Sequence, residues 1–493
     1  MTGTERVSAE KRILHRTLSL CPICLRRIDA AYVRQGGTVR FVKSCPQHGA
    51  FSVPVLRETD GLPSFEGWQR PKTPSYPTHP LTGEAQGCPY DCGLCPSHAQ
   101  HTCTALLEVT LRCNMACPVC FASAGADDGS QDVPLAVVDF QLDRLRQVSP
   151  GCNVQLSGGE PTLREDLPEI IRRVRARGFG LIQVNSNGLR LGREAAYAVR
   201  LREAGLDSVY LQWDAPDDAA CAPLRGRLPG GESLVACKEA AVRHCQAAGL
   251  GVVLVATLEP HSSLPRVGDL LRLALRLGPT VRGLHLQPLA HFGRYPGELT
   301  AAPRLPLFDV LAALCEQAPE LVRPEHVHPP GCEHSLCSFS AVYARETGPD
   351  GQPGLRLLAD AAAACCGPSP SVLRAGAALP PLEAAEGARR SRQFVATHWT
   401  GAERAAVPGS AADDFSRFLA RAGVERRFTL SCMAFQDALD LDVERVRGCC
   451  IHVMRPDGRM IPFCLHNLTA ADGRMLYPGR LACAHAESRP HEV

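Results

Sequence analysis

"LRCNMACPVCFASAG", Leu111 to Gly125, carries Cys113, Cys117 and Cys120 in the spacing C-x3-C-x2-C. A run of strand length, "ALLEVTL" at 105–111, leads directly into it. The triplet therefore falls in the loop after a strand, at the C-terminal edge of that strand's sheet. Downstream, further apolar runs recur: "NVQLS" (153–157), "FGLIQVNS" (179–186), "SVYLQW" (208–213), "LGVVLVATL" (250–258) and "GLHLQP" (283–288). Amphipathic segments at 134–148, 164–177, 192–204, 232–248 and 264–277 separate them. Six strands alternating with helices predict a parallel α/β sheet with right-handed crossovers. Such a sheet curls into a partial barrel with its reactive groups at the strands' C-terminal ends. The alternation leaves open whether the barrel closes.

A [4Fe–4S] cube normally takes four thiolates. Three close cysteines leave one iron without a protein ligand, and an open position is what separates a reactive metal centre from a structural one. The second strand ends in "NVQLSGGEPTL", which places Gly158, Gly159 and Glu160 one βα unit after the triplet. Paired glycines let a backbone approach a ligand closely, and Glu160 offers an anion to an ammonium. The third strand ends in "NSNG" (185–188) and the fourth in "LQWD", closing on Asp214.

C-x3-C-x2-C after the first strand with GGEP after the second resembles the radical S-adenosylmethionine (SAM) superfamily. The resemblance covers about 104–300 and implies an α/β fold, a partial (β/α)6 barrel. It implies that Cys113, Cys117 and Cys120 hold a catalytic [4Fe–4S] cluster whose open iron is chelated by S-adenosyl-L-methionine. Reductive cleavage of that cofactor yields a 5′-deoxyadenosyl radical that abstracts hydrogen from substrate, with the protein supplying orientation and shielding. Gly158, Gly159 and Glu160 would meet the SAM amino group, with Asn185, Asn187 and Asp214 at the mouth. The electron would come from a donor such as flavodoxin or ferredoxin. One departure is Val119 before the third cysteine, where many members carry an aromatic residue; here Phe121 follows instead.

Composition is compatible with this reading. The chain has 493 residues, 45% hydrophobic and 21% charged, with a formal net charge of +2, so nothing favours nucleic acid or an anionic surface. No run of about 18 apolar residues suggests a bilayer span, and the first twenty residues lack an apolar signal core. The expectation is a cytoplasmic protein, with peripheral membrane contact open.

Twenty-four cysteines then need a purpose, and reduced, clustered cysteines point to metal. "CPIC…CPQH", Cys21, Cys24, Cys45 and His48, has the spacing of a zinc knuckle or a mononuclear iron site within an N-terminal unit (1–80). "GCPYDCGLCPS" repeats the C-x3-C-x2-C spacing at Cys88, Cys92 and Cys95, and Cys103 follows. Four thiolates in 81–104 predict a closed auxiliary or structural [4Fe–4S] cluster, with zinc as the alternative. Beyond the barrel (105–325), a C-terminal extension (326–493) carries Cys332, Cys337, Cys449, Cys450 and Cys464, four of which are expected to form one more cluster. A stretch near 367–393 reads as a mobile excursion, and "RPDGRM" reads as a hairpin turn. Cys152, Cys221, Cys237, Cys245, Cys315 and Cys483 read as small apolar residues, while Cys365 and Cys366 have no assignment.

From about 20 to 468 the motifs together resemble one radical SAM branch, which contains the archaeal tetraether-lipid synthase and methylases of a hydroxymethyl-dihydropterin. That resemblance implies carbon–carbon coupling of lipid acyl or isoprenoid chain ends as the leading expectation. The alternative is radical C-methylation of a pterin-like small molecule. A non-enzymatic zinc-binding interaction protein is the distant third.

Overall fold

The computed structural model describes residues 11–125, 132–348, 351–358, 381–401 and 427–481. Its frame is one sheet of eleven strands among the described residues. Six of them are the expected series, Thr104–Thr110, Asn153–Gly158, Ile182–Ser186, Ser208–Gln212, Gly251–Leu258 and Val281–Pro288. They lie side by side in chain order, and every neighbouring pair is parallel. The first of them is buried at all seven positions, as expected of a parallel strand covered on both faces.

Helices fill the gaps between these strands and follow from spacing. Leu167–Ala176 buries Leu167, Ile170, Ile171 and Val174, one stripe at helical period, with Pro168 in its first turn. Burying each such side chain contributes about 1.5–3 kcal/mol relative to leaving it exposed. The helix stops before Gly178, whose φ of +82° only glycine adopts cheaply.

The six-stranded series does not close on itself. Arg427–Met433 pairs in parallel with the last strand, and Ile451–Met454 pairs in parallel with the first. Ser338–Thr347 and Pro353–Leu357 continue one edge, and Met460–Pro462 ends the other. The C-terminal segments therefore widen both edges of the same sheet. The turn between Met454 and Met460 is the expected hairpin, with Gly458 at a φ of +86°.

Of the stretch 367–393 expected to be mobile, 367–380 lies outside the described residues. The remainder differs from the expectation: Leu382–Glu383 pairs with Lys72–Thr73, and Ala384–His398 is a helix. Its interior carries no Pro and buries Ala384, Gly387 and Ala388. Cys365, Cys366 and Cys483 also lie outside the described residues. Cys152, Cys221, Cys237 and Cys245 are buried and Cys315 is partly buried, as small apolar residues are.

The N-terminal strands Lys11–Leu20, Arg27–Gln35, Thr38–Cys45 and Gly49–Arg57 form an antiparallel sheet of their own. Lys43 Nζ anchors it to the C-terminal piece through the Ala438 carbonyl at 2.7 Å. Among the described residues no helix is long and apolar enough to cross a membrane.

Candidate active site and metal centres

A cavity of about 310 Å3 opens against the sheet and is lined at one end by Cys113, Cys117 and Cys120. The loop that carries them is clamped from the far side of the barrel. Arg294 exchanges backbone hydrogen bonds with Cys120, and its side chain donates to the carbonyls of Cys117 at 2.8 Å and Ala124 at 3.0 Å. Burial pushes the Cys113 thiol up to about 12, and the nearby Glu160, Cys117 and Cys120 charges push the same way. Burial also raises Cys117. Such thiols keep their protons at neutral pH until a metal displaces them. The three sulfurs are not drawn into the tight groups found elsewhere in the molecule.

Gly158 and Gly159 also line this cavity, but their tight contacts are with the cysteine loop itself. Gly158 has a φ of +131°, and a Cβ there would lie 2.0 Å from the Thr110 carbonyl oxygen; at Gly159 it would lie 2.3 Å from that of Arg112. The amides of Gly159 and Glu160 donate to those two carbonyls at 2.8 Å. The glycines thus allow two loop backbones to touch.

Glu160 is buried, and burial raises its pKa. Its Oε1 accepts from the Thr162 amide and hydroxyl and from Ser186, and its Oε2 accepts from the Asn187 amide at 2.6 Å. Each carboxylate oxygen offers about two acceptor positions; Oε1 is fully used, whereas Oε2, with the Asn187 amide as its partner, keeps one for a ligand donor. Asn185 donates to Ser157 at 3.2 Å, while its Oδ1 has no partner. That buried acceptor beside the cavity fits a ligand hydroxyl or amine. Asn187 is spent locally: its side chain meets Asn114 and the Leu189 amide.

Asp214 differs from the expectation that it faces the mouth. It is fully buried and is not among the cavity-lining residues. Trp213, Gln212 and Thr257 enclose it, and Arg225 takes both its oxygens, at 2.6 and 2.9 Å. Arg225 is the cavity-lining member of the pair, and it also donates to the Val119 carbonyl. Burial opposes its charge, but Asp214 holds its pKa above the ordinary value. Sequence reading missed Arg225 because only the fold brings it to Cys117. In place of an aromatic before the third cysteine, a cluster of rings lies beside the loop, with Phe121 at its exposed end. Phe121 packs on Phe463, with ring centroids 5.5 Å apart, and Phe435 and Phe292 adjoin.

The N-terminal quartet assembles as expected. Cys21, Cys24, Cys45 and His48 bring their donor atoms within 4.8 Å of one another. His48 Nδ1 lies 3.5 Å from Cys21 Sγ and 3.4 Å from Cys45 Sγ. A tetrahedral ion with bonds near 2.3 Å needs donors about 3.8 Å apart, so one zinc or iron fits.

The remaining cysteines regroup. Cys103 does not join Cys88, Cys92 and Cys95. It immediately precedes the first barrel strand, its amide donates to the Cys450 carbonyl at 2.8 Å, and its sulfur meets Cys332 and Cys450. Strand register decides this, because Thr104 pairs with Ile451. The groups acting on Cys88 are instead Cys92, Arg447 and Arg27. Nor do the C-terminal cysteines form a single set of four. Cys332 and Cys450 go with Cys103, whereas Cys449 stands outside that tight group; burial raises its thiol, and Cys464, Cys337 and Cys103 push the same way. Adjacent residues entering a strand point to opposite faces, which splits Cys449 from Cys450.

Comparison with known proteins agrees with this architecture. Residues 107–276 match the family described as the Radical SAM superfamily, and residues 13–57 match the HMPTM N-terminal zinc ribbon domain. The chain belongs to the radical SAM superfamily and, within it, to the family of a protein that it matches over nearly its whole length. That protein is the 7,8-dihydro-6-hydroxymethylpterin dimethyltransferase of Methanocaldococcus jannaschii, 30% identical over 489 residues, which cover 92% of this chain and 93% of that one. A probable GTP 3′,8-cyclase of Methanopyrus kandleri is 33% identical over 225 residues, covering 45% of this chain and 66% of its own. The solved structure of Streptococcus suis SuiB bound to precursor peptide SuiA covers 45% of this chain and 46% of its own. Its identity of 14% and TM-score of 0.36 are too low to carry any argument. The chain is thus a radical SAM enzyme that uses a [4Fe–4S] cluster and S-adenosyl-L-methionine. Neither of the two relatives is named for lipid chemistry, so the expectation of lipid-chain coupling gains no support from them, and the pterin alternative gains it.

Proposed function

We propose that this enzyme C-methylates a reduced pterin or a closely related small heterocycle. The observation that carries the reading is the mixed character of the cavity wall. Tyr210, His285 and Trp399 form a ring-lined side, with centroids 5.5–6.1 Å apart. Gln155, Gln212 and Gln287 set amides along the same cavity. Flat aromatic walls with a few placed amides suit a planar, hydrogen-bonding bicycle. Gln155 donates to Gln183 and Gln212 to Asp214, which fixes where these amides stand along the cavity. The near full-length similarity to a protein named for pterin dimethylation supports the same reading.

In this proposal Cys113, Cys117 and Cys120 hold the catalytic cluster, and Arg225 offsets their negative charge. Bound together, cluster and S-adenosylmethionine would supply hydrogen abstraction from carbon, and the methyl group itself would come from a separate one-carbon donor. The free lone pair of Glu160 Oε2 and the unpartnered Asn185 Oδ1 receive the cofactor's ammonium and hydroxyl donors. Phe292 and Phe463, both buried, would keep water from the cluster side. The electron for each cleavage comes from a flavodoxin- or ferredoxin-type donor. The units 1–80, 81–104, 105–325 and 326–493 work as ribbon, auxiliary segment, barrel and extension.

The test compares soluble metabolites and lipids from a host expressing the chain with those from a host expressing Cys120→Ala. The proposal expects pterins heavier by one or two methyl groups only with the intact chain. New coupled lipids, or no new pterin, would overturn it.

A further inference from the structure

Where a packed barrel would carry branched aliphatic side chains on its inward face, this one carries Gln155, Tyr210, Gln212, His285, Gln287 and Ser431. Alternation along Val281–Pro288 turns His285 and Gln287 to the cavity and Leu284 and Leu286 away from it. His285 is 5% exposed and stands in register with Ser431 on one neighbouring strand and with Val255 on the other. Its Nδ1 lies 2.8 Å from Ser431 Oγ. Tyr210 and Trp399 flank the ring, with centroids 5.5 and 6.1 Å away. Three contacts therefore fix the plane of the imidazole.

Of the polar atoms on these three rings, all but one have partners within the protein. Trp399 Nε1 donates to Thr429 Oγ1 at 3.1 Å, and the Gln287 side chain bonds the Tyr210 hydroxyl. His285 spends Nδ1 on Ser431, and its Nε2 has no protein partner among the described residues. Burial pushes the imidazolium down to about 3, so the ring is uncharged at neutral pH and keeps one N–H and one lone pair. Ser431 decides which of the two Nε2 offers. A hydroxyl donating to Nδ1 leaves Nε2 as the donor, and one accepting from it leaves Nε2 as the acceptor. A ligand that closes the cavity without a polar atom opposite Nε2 loses affinity, because that nitrogen then stays unpaired. His285 also lies three residues before the end of its strand, roughly 10 Å from it. That depth suits a substrate lying beneath a cofactor held at the cysteine end.

We propose that His285 Nε2 makes the hydrogen bond that positions the substrate, with a ring nitrogen or ring carbonyl of the heterocycle as its partner, and that Ser431 aims the imidazole. The assignment rests on the reading of the substrate as a planar nitrogen heterocycle given above, and it adds the atom that recognises the ring. What it selects is an uncharged polar ring edge, since a neutral imidazole offers no charge to a phosphate or a carboxylate. Ser431 is a positioning residue, because it acts only through His285.

The test titrates full-length, anaerobically purified protein with 7,8-dihydro-6-hydroxymethylpterin by calorimetry. His285→Phe keeps a flat ring beside Tyr210 and Trp399 but removes both nitrogens, and should weaken binding about tenfold or more. His285→Gln sets an amide near the place of Nε2 and should bind within about threefold of the parent. Ser431→Ala leaves the imidazole without its brace and should weaken binding about threefold, whereas Ser431→Thr keeps the hydroxyl and should restore it. Iron content and melting midpoint matching the parent's establish that each variant is folded. Parent-like affinity in His285→Phe would overturn the assignment. So would a His285→Gln variant as weak as His285→Phe, since the ring and not the hydrogen bond would then matter. If His285→Phe does not fold, equal affinity in Ser431→Ala and Ser431→Thr would overturn it instead. A parent that binds no pterin would overturn the pterin reading and this assignment with it. Variants that bind like a binding parent overturn His285 alone, so the two failures are told apart.

Discussion

The same thiol spacing occurs twice within about thirty residues, and the two copies have different surroundings. The copy at Cys113, Cys117 and Cys120 follows the first barrel strand and lines the cavity. The copy at Cys88, Cys92 and Cys95 precedes that strand and lines no part of it. Their first cysteines titrate in opposite directions. A hydrogen bond from Cys92, with Arg447 and Arg27 nearby, lowers Cys88, whereas burial pushes Cys113 up to about 12. The upstream copy is also tied to the C-terminal piece, because Tyr477 accepts from the Cys92 amide and donates to the Pro89 carbonyl. A motif thus sets the distance between sulfurs, and its place on the sheet sets what those sulfurs can reach.

Breaking the downstream copy gives the largest expected effect. Cys120→Ala abolishes 5′-deoxyadenosine formation from SAM in reconstituted, reduced protein while the other metal centres stay filled. Cys95→Ala, by contrast, lowers iron content but retains SAM cleavage within about tenfold, on the view that only the downstream copy reaches the cofactor. Equal loss in both variants would erase the distinction between the copies.

What holds the downstream copy in place is open to sharper tests. Asp214→Asn leaves Arg225 buried without its anion, and should cost about 3–5 kcal/mol in a denaturant midpoint. The double variant Asp214→Asn with Arg225→Leu should recover part of that loss, because no lone charge is left behind. A smaller effect is expected at Glu108, inside the first strand, which binds His466 and Arg480 of the C-terminal piece. Arg480 also donates to the Phe121 carbonyl, so this network reaches the cysteine loop. Burial opposes ionisation of Glu108, but Arg480 and His466 bring its pKa down to about 2. A depressed folded pKa means stability present above the unfolded value of about 4.3 and lost as pH falls toward 2. That amounts to about 3 kcal/mol, and Glu108→Gln should flatten the loss between about pH 5 and 2. A variant that keeps the acid limb of the parent would show that the pair does not couple extension and barrel.

Much of the fold was legible locally. All six expected strands form within about three residues of their expected bounds, because period-two and period-3.6 patterning records burial by one neighbour on each face. That Cys113, Cys117 and Cys120 line one cavity with Gly158 and Gly159, and that Cys21, Cys24, Cys45 and His48 gather, was legible for the same reason, since short stretches of chain carry them. Asp214 was misplaced because a residue at a strand's end points either into the cavity or away from it, and a single letter does not say which. Arg225 carried no local signal at all.

Spacing along the chain thus determined the parallel sheet, the open cysteine triplet and the N-terminal donor set, since short loops leave nearby residues little choice of distance. Only the tertiary structure decided which of the other thiols meet. Cys103 and Cys450 stand 347 residues apart, and a single strand register brings them together. Register depends on the packing of both faces of the sheet at once, which no short stretch of sequence contains.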